Sequence, residues 1–437
     1  MTTLLWLRRD LRVHDHPALE AARAGADALV PVFCFDDRLL QGRHASGPRT
    51  QFLLECLADL DDSLRKRGSA LVVRRGPPET EIPKLVRETN ATAVHFSSDV
   101  GPFARARDAR VERALDVPID EHPGLFAVDD LDGIRTTSGD PYTVFTPFHR
   151  AWTRLPRRET HGAPRSLPPL PRALDPGKLP RLADLGLRQE VEDPMPGGES
   201  AARKAMNAFV AGHLPDYDAR RDMVAEPGAS RLSPYLHFGC LSPRELEHRA
   251  ESVGAFTRQL CWRDFYAHVL LHFPNNAHSE YQSRYRGTLN WSRAHKRFEA
   301  WCEGRTGYPL VDAGMRQLKR EGWMHNRARL VVGSFLTKDL GIDWRWGERW
   351  FMRLLLDGDE ASNNGNWQWI ASVGVDPQPA FRRMFNPERQ QARFDPDGEY
   401  IRRYVPELRD DGGDYPQPIV DHVRAREEAL ERYRRVS

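Results

Sequence analysis

Residues 354–369 read LLLDGDEASNNGNWQW. Two carboxylates, Asp357 and Asp359, stand two residues apart beside Ser362 and the Asn363–Asn364 pair, a set of oxygen donors that suggests a calcium loop. An EF-hand loop counted from Asp357 needs Asp or Asn at its fifth position, Gly at its sixth and Glu at its twelfth. Those positions hold Ala361, Ser362 and Gln368, so the bidentate carboxylate and the sharp turn are missing and no metal is expected. What remains is a helix end with Asp/Asn/Gly turn chemistry, or a polar cluster made for an organic ligand. The tryptophans that close the stretch belong to a larger set: nine of the eleven in the chain lie between Trp262 and Trp369. Such clustering is compatible with a large core, and it also suits a cofactor or base-stacking site.

The elements that must position these residues divide in two. Runs at 4–8, 28–35, 70–75 and 93–98 read as buried parallel strands, with LFAVDD near 125–130 a weaker fifth. Helical periodicity fills 48–68, 79–90 and 103–115 between them, which predicts a doubly wound α/β domain over residues 1–127 with a five-stranded parallel sheet. No GxGxxG or GxxxxGK[ST] follows any strand, so the usual nucleotide fingerprints are absent. Nine prolines between 154 and 196 mark an extended connection, placed at 128–197. Beyond it the signals are helical throughout 198–437. Ser242, Pro243 and Glu245 spell an N-cap, N1 and capping box.

At 437 residues the chain exceeds one core, and no apolar run approaches the roughly 20 residues of a membrane span. MTTLLWLRRD lacks a basic flank and reads as a first strand rather than a secretory or transit signal. Five scattered cysteines without a CxxC pair argue for a reducing cytoplasm and against a disulfide framework or zinc site. Net charge is only +2, so nucleic-acid binding would need a local basic stripe. Only seven of the 64 basic residues are Lys, which a GC-rich genome explains as well as selection for phosphate contacts.

Read together, LLWLRRDLRVHDHPAL, ASRLSPYLHFGCLSPREL, WRDFYAHVLLHFP, GRTGYPLVDAGMRQLKREGWMHNRARLVVGSFLTKDL, DGDEASNNGNWQW and FNPERQQARFDPDGEYIRRYVPEL resemble the cryptochrome/photolyase family, and within it the class I cyclobutane pyrimidine dimer photolyases. The resemblance runs from residue 3 to about 425. It implies FAD in the helical domain, a light-harvesting chromophore in the α/β domain, and UV-damaged DNA as partner of a monomer. Tyr217 and the stretch Ala229, Ser230, Arg231, Leu232 and Ser233 match the family's FAD phosphate and ribose loop, with Ala229 where Thr is common. Phe256, Arg263, Asn326 and Arg329 match the rest of the pocket. Asp357, Gly358 and Asp359 match the flavin-contacting segment, one carboxylate pairing with Arg329. Asn363 matches the residue facing flavin N5, where a neutral amide can hydrogen-bond without donating a proton to the reduced anion. Plant cryptochromes typically have Asp there and many animal ones Cys, so Asn speaks for repair. Trp367, Trp344 and Trp291, from three separate helices, match the proximal, middle and surface members of the electron relay that photoreduces the flavin.

On the DNA side, the resemblance gives Trp262 and Trp369 to the flipped dimer. Arg221, Arg327 and Gln390 match groups near the lesion or the phosphates, and arginines 382, 383, 402 and 403 extend a basic rim or form a solvated face. Two positions depart from the family: Gln259 replaces a dimer-binding Glu, and Leu330 replaces a Met. Gln still donates and accepts hydrogen bonds but supplies no negative charge. A (6-4) photolyase also has Gln at the first position, yet lacks Asn326 and needs a His near the second. The antenna loop DVGPFARARD has Phe103 and Ala104 where folate-binding members have Asn and Glu. That favours 8-hydroxy-5-deazaflavin over methenyltetrahydrofolate, with Arg49 and Asp99 as contacts; His44, which a folate site would use, is present. The rival reading is a cryptochrome-like FAD photoreceptor without repair. Such receptors usually carry a long C-terminal tail, whereas helical signals here run almost to Ser437.

Overall fold

The computed structural model describes residues 1–408 and 414–436. Five parallel strands form one sheet: β1 (Thr2–Leu7), β2 (Ala28–Phe35), β3 (Val72–Arg75), β4 (Ala93–Ser97) and β5 (Ile119–His122), in the order β3-β2-β1-β4-β5. The crossovers are α1 (Pro17–Arg23), α2 (Gly47–Arg65), α3 (Pro78–Thr89) and α4 (Pro102–Arg113). β1 lies at the centre, with Thr2 opposite Ala28 on one side and Thr3 opposite Ala93 on the other. One sheet face (Leu4, Trp6, Val30, Val32) closes on a core of its own, with Ile82 and Leu85 of α3 and Val111 of α4. The other (Leu5, Leu7, Phe33) is continuous through α2 with Phe209, Tyr217 and Phe256, so the α/β and helical halves share a core.

The fifth strand is IDEH, not LFAVDD. As an edge strand it is exposed at its two middle residues and carries no hydrophobic run to betray it. Leu125, Ala127 and Val128 are buried instead, the last two against Phe148, Trp152 and Phe265 of the helical packing. The proline-rich stretch from 155 to 198 is irregular apart from one short turn at Leu182–Leu185, but the expected connection also contains α5 (Phe145–Arg154), which packs on the helical side.

Six further helices build and brace the site: α6 (Gly254–His272), α7 (Pro309–Glu321), α8 (Asn326–Ser334), α9 (Trp344–Leu354), α10 (Glu360–Ala371) and α11 (His422–Arg434). After α8 the chain widens into a π-helical turn, Phe335–Asp339. It carries the buried Lys338, whose Nζ donates to the Ala371 carbonyl (3.0 Å) and the Tyr433 hydroxyl (2.7 Å), tying α11 to the C-terminal end of α10. Ser242 caps its helix as expected by accepting from the Glu245 N–H at 3.1 Å, but the Glu245 carboxylate turns to Arg203 (2.9 Å) rather than closing a capping box.

The halves are stapled by the segment after β1, RRDLRVHDH. Arg12, 1% exposed, donates to the carbonyls of His14, Asp15, Gly124 and Gly239. Glu199 accepts the backbone N–H groups of Val13 (2.8 Å) and His14 (3.1 Å). Asp15 accepts from Arg158 (2.8 Å) and from Ser242.

Candidate cofactor and DNA site

The segment 354–369 is both a helix end and a helix start. α9 stops at Leu354, Leu355 is extended and Leu356 enters a turn, both buried, and Asp359 caps α10 by accepting from the Ser362 N–H at 2.8 Å. A carboxylate at that end also complements the helix dipole. The Asn363-Asn364-Gly365 run, which reads as turn chemistry, therefore lies inside a helix. Tertiary bonds override its poor propensity. Gln368 Nε2 donates to Asn364 Oδ1 (3.1 Å) and the Asn276 carbonyl (3.0 Å), while its Oε1 accepts from the Tyr281 N–H (2.9 Å).

The two aspartates serve different partners. Asp357 Oδ2 accepts from Ser233 Oγ (2.6 Å) and Arg329 Nη2 (2.9 Å). Asp359 Oδ2 accepts from Arg9 Nη2 at 2.7 Å. Burial would raise the Asp359 pKa, but Arg9, with His237 beside it, holds it well below the usual carboxylate range. Among the described residues no group of three or more His, Cys, Asp or Glu is arranged to hold a metal.

Whether these residues fit a flavin dinucleotide is decided by what they leave over. Asp357 Oδ1 is buried and has no hydrogen-bond partner, an acceptor waiting for a donor beside the Ser233 hydroxyl and the Arg329 guanidinium. That donor set fits the group. Ser230 and Leu232 frame the turn before Ser233, with Leu232 1% exposed and Ala229 half-buried. Arg231 takes a positive φ of 55° and holds its guanidinium on Glu321 (2.7 Å) and over Trp323. Phe256 and Tyr217 pack edge to face, with centroids 5.1 Å apart. Asn326 is the exposed first residue of α8. Arg263 donates to the carbonyls of Leu125 (2.6 Å) and Leu236 (3.3 Å) and faces the cavity between the halves.

Asn363 is 8% exposed, and its Nδ2 donates to the backbone carbonyl (3.0 Å) and Oε1 (3.4 Å) of Glu348. With Nδ2 so held, Oδ1 is the amide's remaining acceptor. Burial raises the Glu348 pKa. Sequence reasoning missed Glu348, although it is a lone acid on the buried stripe of α9 shared by Trp344, Gly347 and Phe351.

Of the three relay candidates, Trp367 and Trp344 are 3% and 1% exposed, and Trp291 is half-buried against the same core. Trp291 lies on an extended segment rather than a helix. The Ser292 N–H donates to the Gly341 carbonyl (2.8 Å), which brings that segment beside the start of α9. Trp367 is packed by Phe351 (5.0 Å) and Trp301 (6.2 Å).

The rim tryptophans are each fixed on one side. Trp262 stacks parallel on Phe145 at 3.6 Å. Trp369 lies under Arg383 (4.3 Å) and donates its N–H to Asp376 (3.2 Å). Arg383 is therefore not part of a solvated rim: it is 2% exposed and bonded to the Trp369 carbonyl, while Arg382, Arg402 and Arg403 are exposed. Arg327 pairs with Asp222 (2.8 Å), and Arg221 lies 3.7 Å from Asp218. Gln259, Leu330 and Gln390 are half-buried, and Gln390 Oε1 has no hydrogen-bond partner.

That cavity between the halves, of about 510 Å³, opens at the carboxyl ends of β1, β2 and β4. Ligands of open α/β sheets bind at such an edge, where the strand order reverses. Asp99, His44, Phe103 and Ala104 line it. Asp99 stands 3.6 Å from Arg9, and His44, its pKa lowered to about 4 by burial and nearby arginines, has an unpartnered Nδ1. Arg49 also lines it, but its guanidinium is committed to the carbonyls of Met352 (2.6 Å), Leu355 (3.2 Å) and His44.

Gly347 on α9 lets Trp367 lie against the backbone, since a Cβ there would meet the indole at 2.2 Å. Gly347→Ala is expected to lower unfolding stability by about 1–3 kcal/mol and to alter the near-UV circular dichroism of the tryptophans. Wild-type values of both would show that this contact is slack.

A family model described as DNA photolyase matches residues 3–171, and one described as FAD binding domain of DNA photolyase matches 256–413. A deoxyribodipyrimidine photo-lyase of Halobacterium salinarum is 41% identical, with 99% of this chain and 98% of the relative covered. A bacterial class III photolyase from Agrobacterium tumefaciens superposes with a TM-score of 0.90 at 35% identity, covering 100% of this chain and 97% of that one. A cryptochrome from Synechocystis does so at 0.88 and 32% identity, covering 100% and 99%. The sheet and the helical half are thus those of a shared fold, and the chain belongs to the DNA photolyase family, with FAD as its cofactor.

Proposed function

We propose that this protein is a light-driven lyase that splits cyclobutane pyrimidine dimers flipped out of UV-damaged DNA. Reduced FAD, when bound, supplies the electron that opens the dimer ring and receives it back. The observation that carries this reading is Asn363: a neutral amide on the floor of the site, its N–H donors turned to Glu348 and its acceptor oxygen left over. Such a group hydrogen-bonds a ring N–H without titrating it. Ser233, Arg329 and Asp357 hold the cofactor. Trp262 and Trp369 flank the dimer, while Arg221, Arg327 and Gln390 meet its surroundings. Trp367, Trp344 and Trp291 form the photoreduction relay, which restores the reduced cofactor and is not part of the repair step.

On this reading residues 1–127 form the antenna domain, 128–197 the connection and 198–437 the catalytic domain of a cytoplasmic monomer. The 510 Å³ cavity takes the antenna chromophore. Phe103 and Ala104, where folate-binding members of the family have Asn and Glu, support 8-hydroxy-5-deazaflavin over the folate.

Reduced protein illuminated with blue light is expected to restore thymines in an oligonucleotide carrying a cyclobutane dimer. Repair of a (6-4) product alone would overturn the substrate assignment, and repair of neither, with FAD bound, would favour a photoreceptor. Gln259→Glu, which adds a negative acceptor at the dimer, is expected to raise dimer affinity or quantum yield. An unchanged or lower value would show that Gln259 is no deficit.

A further inference from the structure

A relay of three chemically identical indoles has no direction of its own; their surroundings must supply it. The surroundings differ. Trp344 Nε1 donates to Glu280 Oε1 at 3.4 Å, and Glu280 is 2% exposed. Among the described residues, the N–H groups of Trp367 and Trp291 have no protein acceptor. The other oxygen of Glu280 is bound to Arg345 Nη2 at 2.6 Å, and the Arg345 guanidinium lies over the Trp344 ring at 4.8 Å. Trp291, half-buried, has Arg432 over its ring at 5.8 Å.

The placement of Glu280 is built. Its carbonyl accepts from Arg286 Nε at 2.8 Å. Its neighbours Ser279 and Tyr281 are bonded through backbone groups to Gln368 (3.0 and 2.9 Å), which stands between Trp367 and Trp369 on α10. The carboxylate beside the middle tryptophan is thus keyed to the helix that carries the first one.

We infer that Glu280 is a positioning residue for electron transfer, stabilising Trp344 in its one-electron-oxidised form by accepting its indole N–H. The inference rests on the relay reading above. When Trp367 has lost an electron, one electron passes to it from Trp344, and the oxidised indole, whose N–H has become strongly acidic, meets an in-plane carboxylate. One electron then passes from Trp291 to Trp344. Oxidised Trp291, near a cation and water rather than a carboxylate, releases its N–H proton to solvent. A thiol in the medium returns one electron and one proton to it. The buried step is stabilised and the outer one made hard to reverse.

The test uses the FAD-loaded oxidised protein, flash-excited with a thiol present, reading the transient absorption of oxidised tryptophan and the yield of photoreduction. Glu280→Gln, which takes the negative charge from the indole N–H while Asp343 (3.2 Å) still pairs with Arg345, is expected to lower that yield about tenfold and to shorten the oxidised-tryptophan signal. Repair by chemically reduced protein should stay near wild type. Arg345→Met, which removes the opposing cation, is expected to hold or raise the yield. The inference is overturned if Glu280→Gln photoreduces like wild type while Trp344→Phe does not, which leaves the relay standing. It is equally overturned if Glu280→Gln loses repair in parallel, since the role would then be packing alone. Wild-type photoreduction in Trp344→Phe would remove the relay itself, and the inference with it.

Discussion

One ion pair joins the sheet to the helix on which the chemistry rests. Arg9, two residues beyond β1, bonds Asp359 at 2.7 Å and the His237 carbonyl at 3.0 Å, and stands 3.6 Å from Asp99 beyond β4. Asp359 is at the same time the N-cap of α10. Removing Arg9 would leave the mostly buried Asp359 carboxylate without its cation, which costs about 3–5 kcal/mol, whereas without Asp359 the Arg9 guanidinium keeps Asp99 at 3.6 Å. The orientation of α10 is therefore fixed at its N-cap by the α/β half, and everything that follows on that helix inherits it.

The other end is fixed as firmly. Lys338 and Tyr433 hold the Ala371 carbonyl, and Gln368 ties the middle of α10 to residues 276–281. Between these anchors stand Asn363, Trp367 and Trp369, the groups proposed for cofactor, relay and lesion. A sequence as poor in helix formers as ASNNGN is held in the conformation by Asn363, which bonds across to Glu348, and by Asn364 and Asn366, which bond to Gln368 and the Ser362 carbonyl within α10. The same architecture is found in the cryptochrome from Synechocystis, so the proposed repair reading rests on side chains, Asn363 among them, rather than on the fold.

Much of this was legible in the sequence. Four of the five strands follow from buried apolar runs. The roles of Asp357, Asp359, Asn363 and the tryptophans followed from resemblance, not from spacing, and the geometry agrees at one checkable point, the Arg329–Asp357 pair at 2.9 Å. What stayed hidden shares a physical cause. β5 is a polar edge strand. Arg9 meets Asp359 across 350 positions, Glu280 meets Trp344 across 64, and no local pattern announces a partner at such a distance. Arg49, read as a chromophore contact, commits its guanidinium to backbone carbonyls of α9 and its end. Glu348 alone left a trace, as an acid on a buried helix stripe.

The central claim, that the Arg9–Asp359 pair sets the cofactor helix, is tested most directly by a double-mutant cycle. Arg9→Met, Asp359→Asn and the double variant would be compared in urea unfolding and in FAD retained per chain. The account predicts that Arg9→Met loses on the order of 3 kcal/mol and Asp359→Asn less, that each loses part of its flavin, and that the double variant loses no more than the worse single one. Losses that add to within about 0.5 kcal/mol, with full flavin content in every variant, would contradict it.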